Sequence, residues 1–281
     1  MLENMIAKEE KIGNWLYLPS RKYDAATNMA IDEFLLERVA STKEKFVRFY
    51  EFEKPAVILG YSQNYSDFIG NGVDVTRRGT GGRAIWCDDG VLAYSIISHY
   101  STRYLSKEIH KEYATKIASA IEKLGVKNVK VGDSSAIKVN FETIAGHAQK
   151  KIANAFIYHG LLAINAWNVD LISSAITLRE VKENGFHIRE HEFIKQLPYL
   201  KKFIDIEKGE VESAILSSIT GNNFINHEFG EIELDKIGEF VKKYMSKNWV
   251  VKNGHKSKHG HCFFSPNAFD EKVQRVINGG H

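Results

Sequence analysis

Cysteine is scarce in this 281-residue sequence, which contains only Cys87 and Cys262. Two cysteines cannot supply the set of disulfides that holds a small secreted domain together. No apolar run approaches the ~18–20 residues that a membrane-spanning helix needs, and residues 1–11 are too charged for a secretory signal. We therefore expect a globular, cytoplasmic protein that does not enter a membrane.

An excess of one charge is also missing, because 38 basic residues stand against 35 acidic ones and the formal net charge is +3. This balance does not predict nucleic-acid binding, although a weakly basic surface attracts acidic proteins. Hydrophobic residues make up 43% of the chain, enough for a sizeable core. We expect one large domain over residues 1–247 and a short C-terminal extension over residues 248–281.

Helical and strand-like patterns alternate along the chain without internal repeats. In residues 28–39 the apolar side chains share one helical face, which leaves Asp32 and Glu33 on the side expected to face solvent. Further helices are predicted over residues 106–124, 210–218 and 234–244. Strands are predicted over residues 46–50, 56–60, 126–131, 136–139, 143–148 and 156–166, the first two as a hairpin. The pattern predicts a mixed α/β domain.

The most informative segment is residues 77–86, which read RRGTGGRAIW and lie between two strand-like runs. Glycine permits positive φ and lets a ligand approach the backbone closely. Successive unpaired N–H groups and flanking guanidinium groups favour a carboxylate or a phosphate. The segment therefore indicates a site for an acyl or nucleotidyl anion, and the alternative is a glycine-rich turn with solvated arginines.

Five short motifs together resemble one family. They are residues 28–33 (NMAIDE), 48–50 (RFY) followed by 59–64 (LGYSQN), 77–86, 144–149 (IAGHAQ) and 159–160 (HG). Their order and spacing are similar to those of lipoate–protein ligases and octanoyltransferases, which are relatives of biotin–protein ligases. The resemblance implies the α/β fold of that catalytic domain, with a mixed, largely antiparallel sheet flanked by helices, and it makes residues 1–247 the catalytic domain.

In the ligases, lipoate or octanoate reacts with ATP and Mg²⁺ to give an acyl-adenylate. The acyl group then passes to a lysine of a lipoyl carrier domain, of the 2-oxoacid dehydrogenase acyltransferase or glycine cleavage H protein type. The resemblance implies contacts with the nucleotide from Arg77, Arg83, Ala84, Ile85 and Trp86. It implies contacts with the acyl group from Thr80, Gly81, Gly82, Gly146, His147, Ala148 and His159.

The sequence departs from the family where a lysine is expected, because Thr143 stands at that position. The Asn-Asp pair of the ligases is also missing near Ser134 and Ser135, where the nearest acid is Asp133. If residues 140–141 form a two-residue turn, Lys138 lies directly opposite Thr143 on the facing strand. We therefore predict that the active-site lysine has moved to Lys138, and the alternative is an ordinary exposed strand lysine.

Cys87 favours a second interpretation, an octanoyl or lipoyl transferase that holds the acyl group as a thioester and needs no ATP. Such a nucleophile requires a partly exposed thiolate beside cationic groups. A buried, inert thiol is the alternative. A third interpretation is a non-catalytic binding protein that has kept the slot for lipoate or for the carrier domain, and the absence of the family lysine favours it.

Three histidines need separate interpretations. His147 replaces a small residue of the family, so it narrows the acyl tunnel, offers a hydrogen-bond donor or acceptor to the reacting carbonyl, or faces outward. His159 either lines the site or is a satisfied core residue. The spacing of His255, His259, His261 and Cys262 fits no common zinc site, so we predict a basic tail and no metal. The residues after Trp249 are too few for the accessory domain of many ligases, which leaves room for a separate accessory subunit.

Overall fold

A computed structural model of the chain describes residues 14–63, 65, 73–100, 106–132, 136–175, 195 and 197–251. Its strands are β1 (Trp15–Tyr23), β2 (Phe46–Phe52), β3 (Ala56–Leu59), β4 (Asp74–Arg77), β5 (Ile85–Cys87), β6 (Val91–His99), β7 (Val129–Val131), β8 (Ile137–Val139), β9 (Glu142–Ile152), β10 (Ala155–Ala163) and β11 (Phe224–Asn226). The helices are α1 (Ala25–Thr42), α2 (Ser106–Lys123), α3 (Val169–Ala175), α4 (Lys208–Thr220), α5 (Glu231–Met245) and α6 (Lys247–Val250). A short 3₁₀ turn covers Leu200–Lys202.

The described strands form two sheets. The larger sheet has the strand order β11-β1-β2-β6-β10-β9-β8-β7, and the smaller one has the order β4-β3-β5. In the larger sheet β1 pairs in parallel with β11 and β2, while every other neighbouring pair is antiparallel. The predicted mixed, largely antiparallel sheet flanked by helices is confirmed.

Helices cover both faces of the larger sheet. Residues of α1 and α5 pack with one face in a buried cluster that includes Ile31, Leu35 and Val39. Residues of α2 and α4 pack with the opposite face in a second cluster, in which Ile117 and Ile121 have no exposed surface. Asp24 begins α1 because its carboxylate accepts the backbone N–H of Thr27 at 2.8 Å. The apolar residues that recur with helical periodicity in the sequence are therefore the ones that contact the core.

Two sequence predictions are wrong at this level. Asp32 was placed on the solvent side of α1, but its side chain is buried and 4% of the residue is exposed. Strands β2 and β3 do not form a hairpin, because β2 pairs with β1 and β6 while β3 pairs with β4 and β5. The chain thus moves from the larger sheet to the smaller one at residues 53–55, which places the following glycine loop beside the larger sheet.

The start of the predicted C-terminal extension packs onto the domain. Helix α6 crosses the predicted boundary at residues 247–248, and the Trp249 ring lies 5.9 Å from the Tyr61 ring and 5.7 Å from the Tyr244 ring. Residues 252–281, which include the histidine and cysteine cluster, lie outside the described residues. Within the described part of the chain, no helix has both the length and the hydrophobicity needed to cross a bilayer.

Candidate functional site

A cavity of about 250 Å³ lies between the glycine loop that follows β4 and the neighbouring strands β9 and β10. Its walls are largely apolar and include Met29 of α1, Trp167 before α3, and Leu197. The volume is just below the ~300–1,000 Å³ that is usual for small-molecule sites. Of the predicted site residues, those that line the cavity are Gly82, Arg83, Ala84, Ile85, Trp86, Thr143, Gly146, His147, Ala148 and His159.

The glycine loop needs glycine where two backbone segments touch. A Cβ atom on Gly60 would lie 1.8 Å from the carbonyl oxygen of Gly82, and Gly82 itself has a φ of 95°. Gly81 and Gly82 are exposed, and Gly82 lines the cavity. Their backbone can therefore approach a ligand without a side chain between them.

Arg78 holds the loop in place from inside. Its guanidinium donates hydrogen bonds to the carbonyl oxygens of Ile58 at 3.1 Å, Gly81 at 2.7 Å and Arg83 at 2.8 Å. Burial lowers the pKa of Arg78 to about 10, so the group remains charged at neutral pH. Arg78 lines the cavity and fixes the path of the loop at the same time.

Arg77 was predicted to contact a nucleotide, but the structure gives it another role. The guanidinium is fully buried and donates to the carbonyl oxygens of Gly60 at 2.8 Å, Gln63 at 2.6 Å, Trp249 at 3.0 Å and Val250 at 2.8 Å. Trp249 in turn donates its indole N–H to the carbonyl oxygen of Arg77 at 2.8 Å. The donors of Arg77 thus join the loop to the C-terminal helix α6, and this residue does not line the cavity.

Three buried side chains meet behind the loop. His159 Nδ1 lies 3.0 Å from Asp32 Oδ2, and His159 Nε2 lies 2.7 Å from Thr80 Oγ1. His159 lines the cavity, whereas Thr80 lines a smaller neighbouring cavity of about 20 Å³ together with Asp32. Gly81 does not line the main cavity, but it joins Thr80 to Gly82, which does.

Asp32 is the centre of a buried polar network. Its carboxylate accepts hydrogen bonds from Arg48 at 2.8 Å and from Ser95 at 2.8 Å, in addition to the contact with His159. Burial alone raises the pKa of Asp32, but the hydrogen bond to His159 and the charge of Arg48 outweigh it and lower the pKa below its usual value. Arg48 also donates to the side-chain oxygen of Asn28 at 2.5 Å. The carboxylate is therefore ionised and fully paired.

His147 lies across the adjacent strand. It faces Gly160 in the ladder between β9 and β10, and its Nε2 lies 2.5 Å from the hydroxyl of Tyr94 on β6. A Cβ on Gly160 would lie 2.5 Å from His147 Cδ2, so only glycine leaves room for the ring. The ring also stacks on Tyr158, with centroids 4.8 Å apart. His147 therefore lines the cavity and does not simply face outward.

The predicted register of the β8–β9 hairpin is confirmed. Lys138 is paired with Thr143, and the two turn residues Asn140 and Phe141 have φ values of 48° and 71°. Thr143 is buried and lines the cavity. Its Oγ1 has no hydrogen-bond partner among the described residues. The stem of Lys138 lies beside Gly132, and Lys138 is not among the described residues that line the cavity. Its role as the relocated lysine stays a prediction.

Cys87 does not have the environment of a nucleophile. The residue has no exposed surface and does not line the cavity. Burial raises the pKa of its thiol well above the usual value, and the nearby charge of Asp88 raises it further. The proposed thioester on Cys87 therefore lacks both a thiolate and access to substrate, which corrects that prediction.

No group of three metal-ligating side chains occurs in the part of the chain that the structure describes. Sequence reasoning missed the buried roles of Asp32 and Tyr94, which contact His159 and His147, and of Ser95, which donates to Asp32. Only Asp32 carried a usable signal, because a helix acid followed by a strand arginine at residue 48 is compatible with a buried ion pair.

The α/β domain thus carries an apolar cavity bounded by a glycine loop, the kind of site that suits a small, largely apolar molecule. Residues 24–218 match the family model described as the lipoyl protein ligase A/B catalytic domain, and the chain belongs to that family. The family that the sequence motifs predicted is thereby confirmed.

Individual relatives are distant and carry two different activities. The chain is 26% identical over 221 residues to lipoate–protein ligase 1 of Staphylococcus aureus, an alignment that covers 76% of this chain but only 62% of that relative. It is also 26% identical over 277 residues to the octanoyltransferase LipM of Carboxydothermus hydrogenoformans, covering 85% of this chain and 98% of the relative. The chain thus spans less than two thirds of the first relative and nearly all of the second.

Solved structures agree on the fold. A bi-partite lipoate protein ligase from Thermoplasma acidophilum superposes with a TM-score of 0.75 at 20% identity, covering 88% of this chain and 100% of that one. A lipoate-protein ligase A bound with ATP gives a TM-score of 0.70 at 20% identity, covering 86% and 99%. At this identity the likeness establishes the architecture, and the activity has to be argued from the site.

Proposed function

We propose that this protein attaches lipoate or octanoate to a lysine of a lipoyl carrier domain, after activating the acid with ATP as an acyl-adenylate. The observation that carries the proposal is the apolar cavity of about 250 Å³ that opens beside exposed loop glycines. A medium-chain acyl group has an apolar body and one polar end, and this cavity has the same division. The acyl chain enters among Met29, Ile144 and Trp167, and the carboxyl end remains near the loop.

An acyl-adenylate is a mixed anhydride that water hydrolyses, so its site must exclude water and stabilise negative charge. The walls of the cavity supply the first condition. Backbone N–H groups of Gly81 and Gly82 and the half-exposed Arg83 supply the second at the mouth of the cavity. With no acidic cluster in the described residues, Mg²⁺ would enter with ATP and be held mainly by its phosphates and by water.

A carrier domain and a second subunit are the partners that this function implies. The bi-partite ligase of Thermoplasma is described together with its E2 lipoyl domain, and this chain covers all of the matched chain. We infer that a separate accessory subunit assists here as well. The carrier is a lipoyl domain of the 2-oxoacid dehydrogenase or glycine cleavage H protein type.

The second candidate is an octanoyltransferase that takes its acyl group from a thioester. The alignments with two LipM octanoyltransferases favour it, because they cover 98% and 100% of those relatives. The buried thiol of Cys87 speaks against it, since no other cysteine lies in the described part of the chain. We therefore place the ligase first.

One assay separates these functions. The protein is incubated with an apo lipoyl domain and either lipoate, ATP and Mg²⁺ or octanoyl carrier protein alone, and the acceptor is weighed by mass spectrometry. A mass gain only with lipoate and ATP supports the ligase, and a gain with the thioester alone supports the transferase. Binding of lipoate with no transfer in either mixture would leave the non-catalytic binding protein.

Gly146→Val tests whether the cavity is the acyl site. A Cβ on Gly146 meets nothing within 4 Å, and the residue lines the cavity, so valine should be accommodated while its methyl groups take up acyl space. We expect weaker lipoate binding by calorimetry with little change in thermal stability. Gly238→Val, at a half-buried position of α5 where an added Cβ also meets nothing within 4 Å, is the matched control. Equal affinity for Gly146→Val and the control would place the acyl group elsewhere.

A further inference from the structure

Two cavities lie next to each other beside α1. The larger one is the cavity of about 250 Å³ described above, and the smaller one has a volume of about 20 Å³. Among the described residues, Met29 and His159 are the two that line both cavities. These two residues therefore form the partition between the two spaces.

The spacing of residues in α1 makes one face of this helix run along the smaller cavity. Met29, Asp32, Glu33 and Leu36 line that cavity, and positions separated by three, four and seven residues lie on one face of a helix. Met29 comes first on this face and is the member that also lines the larger cavity. At a rise of about 1.5 Å per residue, the face continues for about 10 Å from Met29 to Leu36. A chain that passed Met29 would thus run on along α1.

The two residues of the partition are held in different ways. The ring of His159 is fixed at both edges, because Nδ1 lies 3.0 Å from Asp32 Oδ2 and Nε2 lies 2.7 Å from Thr80 Oγ1. Met29 is buried in the apolar cluster that also contains Leu36. Its thioether side chain is unbranched and flexible, and packing against apolar neighbours holds it. Met29 is therefore the side of the partition that can be shortened without breaking the hydrogen bonds of His159.

The smaller cavity can receive the end of a hydrocarbon chain. Leu36 gives it an apolar wall, and the two carboxylates beside it already have cationic partners. Asp32 accepts a hydrogen bond from Arg48 at 2.8 Å, and Glu33 accepts one from Lys243 at 2.5 Å. A methylene group that enters this space would therefore not leave a carboxylate without its partner, which is the costly way to bury a charge.

We propose that Met29 sets the upper length of the acyl group, because its side chain closes the larger cavity toward the smaller one. The inference rests on the proposed function, in which the carboxyl end stays near the loop and the hydrocarbon end points into the interior. In the unmodified protein that end stops at Met29. Medium-chain acids then fit the larger cavity, and longer acids have to displace the Met29 side chain. Met29 is thus a residue that determines specificity, and it takes no part in the chemical step.

Shortening Met29 should shift the preference toward longer acids. Met29→Ala removes Cγ, Sδ and Cε and joins the larger cavity to the 20 Å³ behind it. The combined space has room for about two more methylene groups, and each buried methylene changes affinity about fourfold. We expect the ratio of the Kd for octanoate to the Kd for decanoate to rise about 15-fold in Met29→Ala. Met29→Leu keeps a similar volume, and its ratio should stay within about threefold of the unmodified value.

The test measures binding of fatty acids to the full-length protein by calorimetry. Hexanoate, octanoate and decanoate are titrated separately, so the result does not depend on ATP or on a thioester donor. Hexanoate is too short to reach past Met29, and Met29→Ala should not bind it more tightly than the unmodified protein does. Transfer of octanoate to a lipoyl domain is measured in parallel by the mass of the acceptor.

Leu36→Ala is the matched control. Leu36 is a buried residue of the same helix that also loses three heavy atoms, but it lines only the smaller cavity. The variant enlarges that cavity behind an intact partition, so its ratio of octanoate to decanoate Kd should equal that of the unmodified protein. Circular dichroism checks that each variant is folded. If Met29→Ala does not fold, Met29→Val shortens the same side chain and should raise the ratio about fourfold.

The possible outcomes separate this inference from the proposed function. An unchanged ratio in the folded Met29 variants overturns the inference, and so does an equal rise in Leu36→Ala, which would reflect general loosening of the core. In either case transfer by the unmodified protein still supports the proposed function. A shift confined to the Met29 variants without transfer from either donor overturns the proposed function and leaves Met29 as the length-selecting residue of a fatty-acid site. If the unmodified protein binds none of the acids, the inference fails and the acceptor mass alone decides the function.

Discussion

The contribution of the hydrogen bond between His147 and Tyr94 to the free energy of unfolding can be measured, because each partner can be removed separately. Tyr94 is fully buried, and its hydroxyl lies 2.5 Å from His147 Nε2. His147→Ala leaves that hydroxyl unpaired, which costs ~1–3 kcal/mol. It also removes the ring stacked on Tyr158, a contact worth ~0.5–1.5 kcal/mol. We expect a total loss of about 3 kcal/mol in the free energy of unfolding.

Tyr94→Phe should cost less, about 1 kcal/mol, because His147 is only half-buried and can bond to water instead. A double-mutant cycle then isolates the pair, and we expect a coupling energy of about 1–2 kcal/mol. Urea unfolding of the four proteins, followed by tryptophan fluorescence, gives these values if the slopes agree. If the losses of the two single variants add up to that of the double variant within ~0.3 kcal/mol, the hydrogen bond contributes nothing to stability and the reasoning is refuted.

The same substitution should change acyl selectivity, since His147 lines the cavity. Removing the imidazole makes room for roughly two more methylene groups, each worth ~0.8 kcal/mol when buried. The ratio of kcat/KM for decanoate over octanoate should rise about 15-fold in His147→Ala. An unchanged ratio would mean that His147 does not limit the length of the acyl chain.

Three further predictions concern backbone contacts and buried charge. Gly160→Ala should destabilise the protein by about 1–3 kcal/mol, because the new methyl group would lie 2.5 Å from His147; chemical unfolding checks it. Arg77→Lys should cost about 3 kcal/mol, since one ammonium cannot serve the carbonyls of both the loop and Trp249, and a melting temperature unchanged within 2 °C would contradict this. Thr143→Lys should destabilise the free protein but increase its thermal stabilisation by lipoate, because the buried ammonium needs an anion; thermal melts with and without lipoate measure the difference.

Local patterns predicted the elements well because short-range physics determines them. The apolar stripe of residues 106–124 became α2, which ends at Lys123, one residue earlier than predicted. The hairpin register of β8 and β9 followed from a two-residue turn, since positive φ at Asn140 and Phe141 leaves one way to pair the strands. The family motifs identified the loop and β9 as neighbours, and both border the cavity.

Contacts between distant residues could not be predicted from one sequence. Asp32 read as a surface acid of an amphipathic helix, yet it is paired with Arg48 on β2 and with His159 on β10, 127 positions later. Arg77 read as a ligand contact because guanidinium groups bind anions, but backbone carbonyls of the loop and of α6 satisfy the same donors. The residue type indicates what kind of group each side chain can bind, but only the fold shows which group it does bind.

The distribution of charge around the cavity explains how the chain can lack the family lysine. A lysine at residue 143 would place an ammonium inside an apolar enclosure, whereas the hydroxyl of Thr143 can be buried there at much lower cost. Arg78 is charged within the wall, but hydrogen bonds to backbone carbonyls hold its guanidinium. The exposed Gly81 and Gly82 and the half-exposed Arg83 are the described residues of the loop that an anion can reach. An activated acyl group bound as proposed would have its anionic part at the loop and its chain inside the cavity.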